Sequence, residues 1–187
     1  TIDITQINDV PAVNTDPVLS FGDLDRLQTL ELSAFGLTGS TNSAVSADGS
    51  RVYIADQQGH IALFTRNADG TLTHMRTSAI ASGVIQLQMT SDGANLYALQ
   101  RNNNEGIIVT FTLDSEGNLT EQSSLKQLWD TAQITLSGDG KNLYLMNRET
   151  VIVYGRDTTT GTLTRLQALD NDMSTPPYLW APTKVIT

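Results

Sequence analysis

The stretch Ser46-Ala47-Asp48-Gly49-Ser50-Arg51-Val52-Tyr53 decides the fold, because the chain writes it three times. Ser91-Asp92-Gly93-Ala94-Asn95-Leu96-Tyr97 and Ser137-Gly138-Asp139-Gly140-Lys141-Asn142-Leu143-Tyr144 keep its order: a hydroxyl residue, Asp-Gly, two residues of which the second is polar, an apolar residue and tyrosine. The Asp-Gly pairs start at 48, 92 and 139, which are 44 and 47 residues apart. A second signature follows each of them: Asp69-Gly70-Thr71-Leu72-Thr73, Glu116-Gly117-Asn118-Leu119-Thr120 and Thr160-Gly161-Thr162-Leu163-Thr164. Its glycines, at 70, 117 and 161, are 47 and 44 residues apart. Two independent motifs recurring at one period mark a structural repeat.

Working outward from these turns, each unit reads as four short strands. The first precedes the Asp-Gly pair (43–45, 85–89, 134–136) and the second follows it (52–55, 96–99, 143–146). The third is an apolar run (61–64, 107–111, 151–154), and the fourth opens at the second glycine (71–75, 118–121, 162–166). Gly supplies the positive φ of a tight hairpin, so Asp-Gly between two β-rich runs is a strong hairpin signal. The second and third strands are continuous runs of Val, Ile, Leu and Tyr, which implies burial on both faces. The fourth alternates apolar residues with Thr, Arg, Glu or His, as an outer, half-wet strand does. No segment sustains a helical period. A four-stranded antiparallel unit of about 45 residues, covered on both faces by its neighbours, is a propeller blade. The expected fold is therefore all-β, with three to four such blades and an incomplete ring, since seven blades at this period need about 300 residues.

Organisation follows from this. Residues 23–30 resemble the fourth strand of a preceding blade, and blades fill residues 21–170. Residues 171–187, with Pro176-Pro177, Tyr178 and Trp180, read as a connector or the start of a further blade. Both ends read as cut from a longer chain.

Composition bounds the function. The 187 residues carry 11 basic and 20 acidic side chains, a net charge of −9, and an acidic surface repels phosphate backbones, so nucleic acid is excluded as a partner. The chain has no Cys, which excludes disulfides, thiolate metal sites and cysteine nucleophiles. No apolar run reaches the ~18 residues of a membrane helix, so membrane insertion is not expected.

The pattern Ser-x-Asp-Gly-x-x-Leu-Tyr, the pair Asn147-Arg148 ending a second strand, the apolar third strand and Asp-Gly-x-Leu-Thr together resemble the lactonase-type seven-bladed propellers, which include the propeller kind of 6-phosphogluconolactonase. The resemblance covers residues 23–169. It implies lactone hydrolysis with His, Glu and Arg at the central channel, but no matching His motif is found; the Asn-Arg pair becomes Gln100-Arg101 in the second unit and Asp56-Gln57 in the first. A second resemblance covers about eleven residues: Thr1-Ile2-Asp3-Ile4-Thr5-Gln6-Ile7-Asn8-Asp9-Val10-Pro11 is similar to the last strand and linker of bacterial cadherin-like or Ig-like adhesin repeats, so residues 1–20 are expected to be the tail of such a domain or a linker. That resemblance implies calcium at Asn8 and Asp9, hard oxygen donors suited to it, with Gln6 standing where a further ligand belongs.

The candidate ligand-binding residues are Gln57, Arg101, Asn147, Arg148 and Trp129. Arg101 and Arg148 take equivalent places after successive second strands, where loops line one mouth of a propeller, and two guanidinium groups there can fork onto a carboxylate or phosphate. The competing reading pairs each with a nearby carboxylate, Glu105 or Glu149. Trp129, in a loop between blades, can stack on a sugar or cap blade packing. His60 and His74 fall on different edges of one blade, so they are not expected to converge, and no catalytic residue is assigned. The Asp-Gly turns carry one acidic residue each and read as turns rather than calcium loops.

The functional expectation is a non-catalytic scaffold or binding module of a bacterial secreted or cell-surface, adhesin-like protein, with a carbohydrate or protein ligand and no cofactor beyond calcium. The alternatives are a hydrolase of sugar lactones, or an interaction domain that completes a propeller by self-association through blade faces or open strand edges.

Overall fold

A computed structural model describes residues 27–40, 42–80, 83–102, 105–127 and 133–170. Among the described residues, twelve strands form three four-stranded antiparallel sheets, each a meander in chain order. The first sheet holds β1 (Asn42–Val45), β2 (Arg51–Ala55), β3 (His60–Arg66) and β4 (Leu72–Ala79). The second holds β5 (Val84–Met89), β6 (Asn95–Asn102), β7 (Glu105–Leu113) and β8 (Leu119–Gln127), and the third β9 (Gln133–Leu136), β10 (Asn142–Met146), β11 (Thr150–Arg156) and β12 (Leu163–Asp170). These are the three blades read from the sequence. The fourth strands run four to six residues past the expected ends, over 76–79, 122–127 and 167–170. The sequence there mixes polar residues with Ala79, Leu125, Ala168 and Leu169 in no regular alternation, and backbone pairing to β3, β7 and β11 makes it strand.

Both turn signatures fold as their chemistry dictates. Gly49, Gly93 and Gly140 adopt φ of 71°, 70° and 67°, and each preceding aspartate accepts the hydroxyl of the residue two before it (Ser46 2.6 Å, Thr90 2.5 Å, Ser137 2.6 Å) and a backbone N–H two residues on. This is the local bonding that favours Asp in turns. Each β3-, β7- and β11-type strand also carries an irregularity just before its last aromatic, at Leu63/Phe64, Thr110/Phe111 and Val153/Tyr154.

Alternation along the second and third strands gives each blade two faces. Val52, Ile54, Ala62 and Phe64 share one face of the first sheet, and Tyr53, Ala55, Ile61 and Leu63 the other. The latter set packs on Leu96, Ala98, Val109 and Phe111 of the second sheet in one buried cluster. Tyr97, Leu99 and Ile108, on the opposite face of the second sheet, pack on Leu143, Leu145, Ile152 and Tyr154 of the third. Burying each of the larger aliphatic and Phe side chains among these contributes roughly 1.5–3 kcal/mol, and the cores lie between blades rather than within them. Polar anchors repeat across both interfaces. The hydroxyls of Tyr53 and Tyr97 donate to the carbonyls of Gly117 (3.1 Å) and Gly161 (2.6 Å), each 64 residues on. On the first strands, Asn42 Oδ1 accepts the Leu87 N–H (2.9 Å), and the Gln86 amide brackets Ile134, both bonds 2.8 Å. β1 lies beside β5, and β5 beside β9, so the first strands gather on one side of the stack.

Residues 27–30 form no strand; a short 3-10 helix, Leu32–Phe35, follows them and ends at Gly36 with φ 78°. Leu30, Leu32, Phe35 and Leu37 pack on Val52, Ile54, Ala62 and Phe64, covering the face of the first sheet that points away from the second. The amide of Gln28 brackets the backbone of Leu72 (2.7 and 3.0 Å), so this segment edges the outer strand of the first blade instead of pairing as a strand of its own.

Candidate functional site

The turns between second and third strands and the crossover from β4 to β5 lie at one end of the blades and are stitched together by the backbone. The Asp56 carbonyl accepts Val84 N–H (3.0 Å), Gly59 accepts Ile80 (2.6 Å) and Gly83 accepts Arg101 (3.1 Å). A Cβ on Gly83 would stand 2.1 Å from the carbonyl oxygen of Gln57, so only glycine lets the first blade's turn press against the second blade there. The result is an open depression of about 270 Å³ lined by Gln57, Gly83, Ile85 and Arg101.

Strand register makes Gln57, Arg101 and Arg148 equivalent: each lies four residues after the tyrosine of its second strand. The structure brings Gln57 and Arg101, from adjacent blades, to one depression. Arg148 is exposed on the next turn along. Asn147 turns its Oδ1 onto the N–H groups of Glu149 (2.9 Å) and Thr150 (2.6 Å), so that oxygen shapes the turn. Glu105, the expected partner of Arg101, lies 3.9 Å from the ammonium of Lys126 on the neighbouring strand. Trp129, Asn8 and Asp9 lie outside the described residues, as do residues 1–20 and 171–187.

The lining set defines the available chemistry. Arg101 is a permanent cation with planar donors, suited to a carboxylate, phosphate or developing oxyanion. Gln57 offers both an amide donor and an acceptor, while Ile85 gives an apolar wall. None of the four lining residues carries a carboxylate or imidazole that could accept a proton from water.

Sequence reasoning missed one cluster on the same turn. Asp56 is fully buried and accepts from Thr38 N–H (3.0 Å), Thr38 Oγ1 (3.3 Å), Gln58 N–H (2.9 Å), His60 N–H (2.8 Å) and His60 Nδ1 (2.9 Å). Burial alone would push this carboxyl up; the converging donors outweigh it and hold the pKa at about 2. His60 therefore opens β3 with its ring pinned by the Asp56 carboxylate. The available signal was an Asp ending a buried strand with His four residues on, across a Gly-bearing hairpin. His74 serves packing: its ring stacks on Phe35 (centroids 4.7 Å apart) and meets the edge of Phe64 at 5.3 Å. The two histidines do not come together in any contact among the described residues. Nor does any group of three or more His, Asp or Glu side chains there stand close enough to hold a metal ion, and no helix there is long and apolar enough to cross a membrane.

Residues 81–176, slightly more than half of the chain, match the family model described as lactonase, 7-bladed β-propeller. The chain belongs to this family. Its blades superpose on a Bacteroides fragilis protein provisionally named a 6-phosphogluconolactonase, with a TM-score of 0.62 at 24% identity, over 68% of this chain and 38% of that one. A Bacteroides uniformis protein named in the same way gives a TM-score of 0.63 at 24% identity, over 70% and 40%. The periplasmic gluconolactonase of Pseudomonas aeruginosa gives 0.59 at 23% identity, over 68% and 39%. At these identities the likeness establishes the fold alone. The chain spans about two fifths of the length of these structures. No curated protein matches the sequence.

Proposed function

We propose that these three blades form part of the ring of a lactonase-type hydrolase of sugar lactones, and that the Gln57–Arg101 depression holds the sugar acid or its lactone. The observation that carries this reading is the meeting of Gln57 and Arg101 from adjacent blades, over a glycine that only close blade contact requires, in a chain of the lactonase family. In hydrolysis, water adds to the lactone carbonyl and gives up a proton, and the ring oxygen leaves and takes one. Arg101 is suited to hold the oxygen on which negative charge develops, and the Gln57 amide to orient a hydroxyl of the sugar. The proton acceptor for the water lies outside the four lining residues, so in this reading another part of the ring supplies it. This places lactone hydrolysis ahead of the adhesin-like scaffold, whose sequence support falls on residues 1–20. Calcium at Asn8 and Asp9 and an extracellular location stay with that scaffold reading.

The test is a titration of the full chain with gluconate, followed by NMR of the Ile85 methyl groups and the Arg101 guanidinium. Saturable shifts at both residues are expected, with binding at least about tenfold weaker in Arg101→Ala. Shifts absent from Ile85, or an affinity that Arg101→Ala leaves unchanged, overturn the assignment.

A further inference from the structure

Asp56 and Asn147 take the same place in their blades, three residues after the tyrosine of the second strand. Each donates its N–H to the residue that opens the third strand, Asp56 to the His60 carbonyl and Asn147 to the Thr150 carbonyl, both at 3.0 Å. Each also turns one side-chain oxygen onto two N–H groups of its turn. Asp56 Oδ1 accepts from Gln58 (2.9 Å) and His60 (2.8 Å), and Asn147 Oδ1 from Glu149 (2.9 Å) and Thr150 (2.6 Å). One oxygen therefore builds the turn, and asparagine supplies it. The second oxygen of Asp56 is surplus to the turn. It accepts the Thr38 N–H (3.0 Å), the Thr38 hydroxyl (3.3 Å) and His60 Nδ1 (2.9 Å). An asparagine here would set an NH2 donor against the Thr38 N–H, which accounts for the carboxylate.

Asp56 follows Val52 and Ile54 in the alternation of β2, on the face that residues 30–38 cover. Thr38 ends that covering segment and is exposed, so its N–H owes its protection to the bond with Asp56. On its other side the same turn is held to the second blade. The Asp56 carbonyl accepts the Val84 N–H (3.0 Å), and the Gln57 carbonyl oxygen lies 2.1 Å from where Gly83 would carry a Cβ. Between these two grips stands Gln57, which lines the depression. We infer that Asp56 is a positioning residue: its carboxylate ties residues 30–38 to the turn that carries Gln57, and so couples the seating of that segment to ligand binding in the depression. A displaced turn pulls on Thr38, and a released Thr38 loosens Gln57, since coupling between two sites is reciprocal. The identity of the ligand rests on the lactone reading; the tie between segment and turn does not.

Amide exchange at Thr38, followed by NMR on the full chain, reads the tie directly. Gly83→Ala pushes the turn from the depression side without any ligand, because its Cβ meets the Gln57 carbonyl. It is expected to speed exchange at Thr38 about tenfold. Thr159, an exposed threonine whose N–H likewise bonds an aspartate, Asp157 Oδ1 at 2.8 Å, is expected to keep its rate. Asp56→Asn, which retains one oxygen for the turn, is expected to release Thr38 about tenfold by itself, after which Gly83→Ala adds less than about twofold. Saturating gluconate is expected to slow Thr38 exchange about threefold in the parent but not in Asp56→Asn, which binds gluconate about threefold more weakly. Where circular dichroism finds Gly83→Ala unfolded, Gln57→Gly loosens the same turn and replaces it. Gluconate that leaves the Ile85 methyl groups unshifted removes the lactone reading alone, and the exchange cycle still decides the coupling. Four results overturn it: a Thr38 rate that the turn variant leaves unchanged, factors that simply multiply in the double variant, a Thr38 amide that stays protected in Asp56→Asn, or gluconate that shifts Ile85 and leaves Thr38 exchange as it was.

Discussion

Removing one oxygen atom from Tyr97 tests whether the blades are held by anchors reaching from each to the next. The Tyr97 hydroxyl is fully buried and donates to the Gly161 carbonyl at 2.6 Å, on a glycine that is itself buried. Tyr97→Phe keeps the ring and its packing but strands that carbonyl without its donor. A typical hydrogen bond contributes about 1 kcal/mol net, and a buried group left unsatisfied costs about 1–3 kcal/mol, so a loss of about 2 kcal/mol is expected. Tyr53→Phe, whose bond to Gly117 is longer at 3.1 Å, is expected to cost about 1 kcal/mol, and Tyr144→Phe, half-exposed on the open face, close to nothing. Urea unfolding followed by circular dichroism gives the three values from midpoints at constant slope. For a chain of this size each kcal/mol corresponds to about 2–4 °C in Tm, so the series also separates thermally. A pH arm uses the same residue. Burial pushes the Tyr97 phenol up to about 12, so the folded state favours the protonated form. That stability is fully present below the unfolded value of about 10 and is lost as pH rises through about 12; in Tyr97→Phe this alkaline loss is expected to shrink. Equal costs for all three substitutions, or a Tyr144→Phe penalty as large as that of Tyr97→Phe, would refute the reasoning, because position relative to a following blade would then not matter.

Two further outcomes follow from charged groups. Arg156, with a side chain only 1% exposed, donates to Asp92 Oδ2 (2.8 Å), Asn95 Oδ1 (2.6 Å) and the Gly140 carbonyl (3.1 Å), so Arg156→Ala leaves acceptors of two blades unpaired; a loss of about 3 kcal/mol is expected by urea unfolding, and a variant within error of the parent would show that this pair holds nothing. On acidification, burial would raise the carboxyls of Asp56 and Asp92, but the donors of the 38–60 cluster hold Asp56 at about 2, and Thr90, Ala94 and Arg156 hold Asp92 below its ordinary value. Their stabilisation is complete above the unfolded value of about 3.9 and is lost as pH falls through the folded values, so Asp56→Asn should flatten the fall in stability between pH 4 and 2 in an acid-unfolding series.

Local chemistry made the blades legible. Asp48-Gly49, Asp92-Gly93 and Asp139-Gly140 write a turn that needs positive φ and a short acceptor side chain, and both requirements are satisfied within five residues of sequence. The runs at 61–64 and 107–111 write double-sided burial because they lack any polar alternation. The candidate depression was only partly legible. Gln57 and Arg101 share a place in the repeat and were named on that ground, but Gly83, which admits one blade's turn against the next, carries no turn signature. Asp56 read as one half of a degenerate Asn-Arg pair, whereas its five donors come from Thr38, Gln58 and His60, and Thr38 is 18 residues away in the chain. The extra length of the fourth strands was hidden for a related reason: Gln, Ser and Lys around a single Leu at 122–127 have no periodic signal, and a paired neighbour, not their own preference, makes them strand.

The sequence alone therefore determined the repeat, the four-strand unit and the chemistry of its turns, since each rests on backbone preferences and hydrophobic order within a few residues. Only the tertiary structure decided which tyrosine meets which glycine 64 residues on, which glutamine and arginine share a depression, and which end of the stack is covered. Those outcomes depend on how one sheet is set against the next, a relation between surfaces that no short stretch of chain contains.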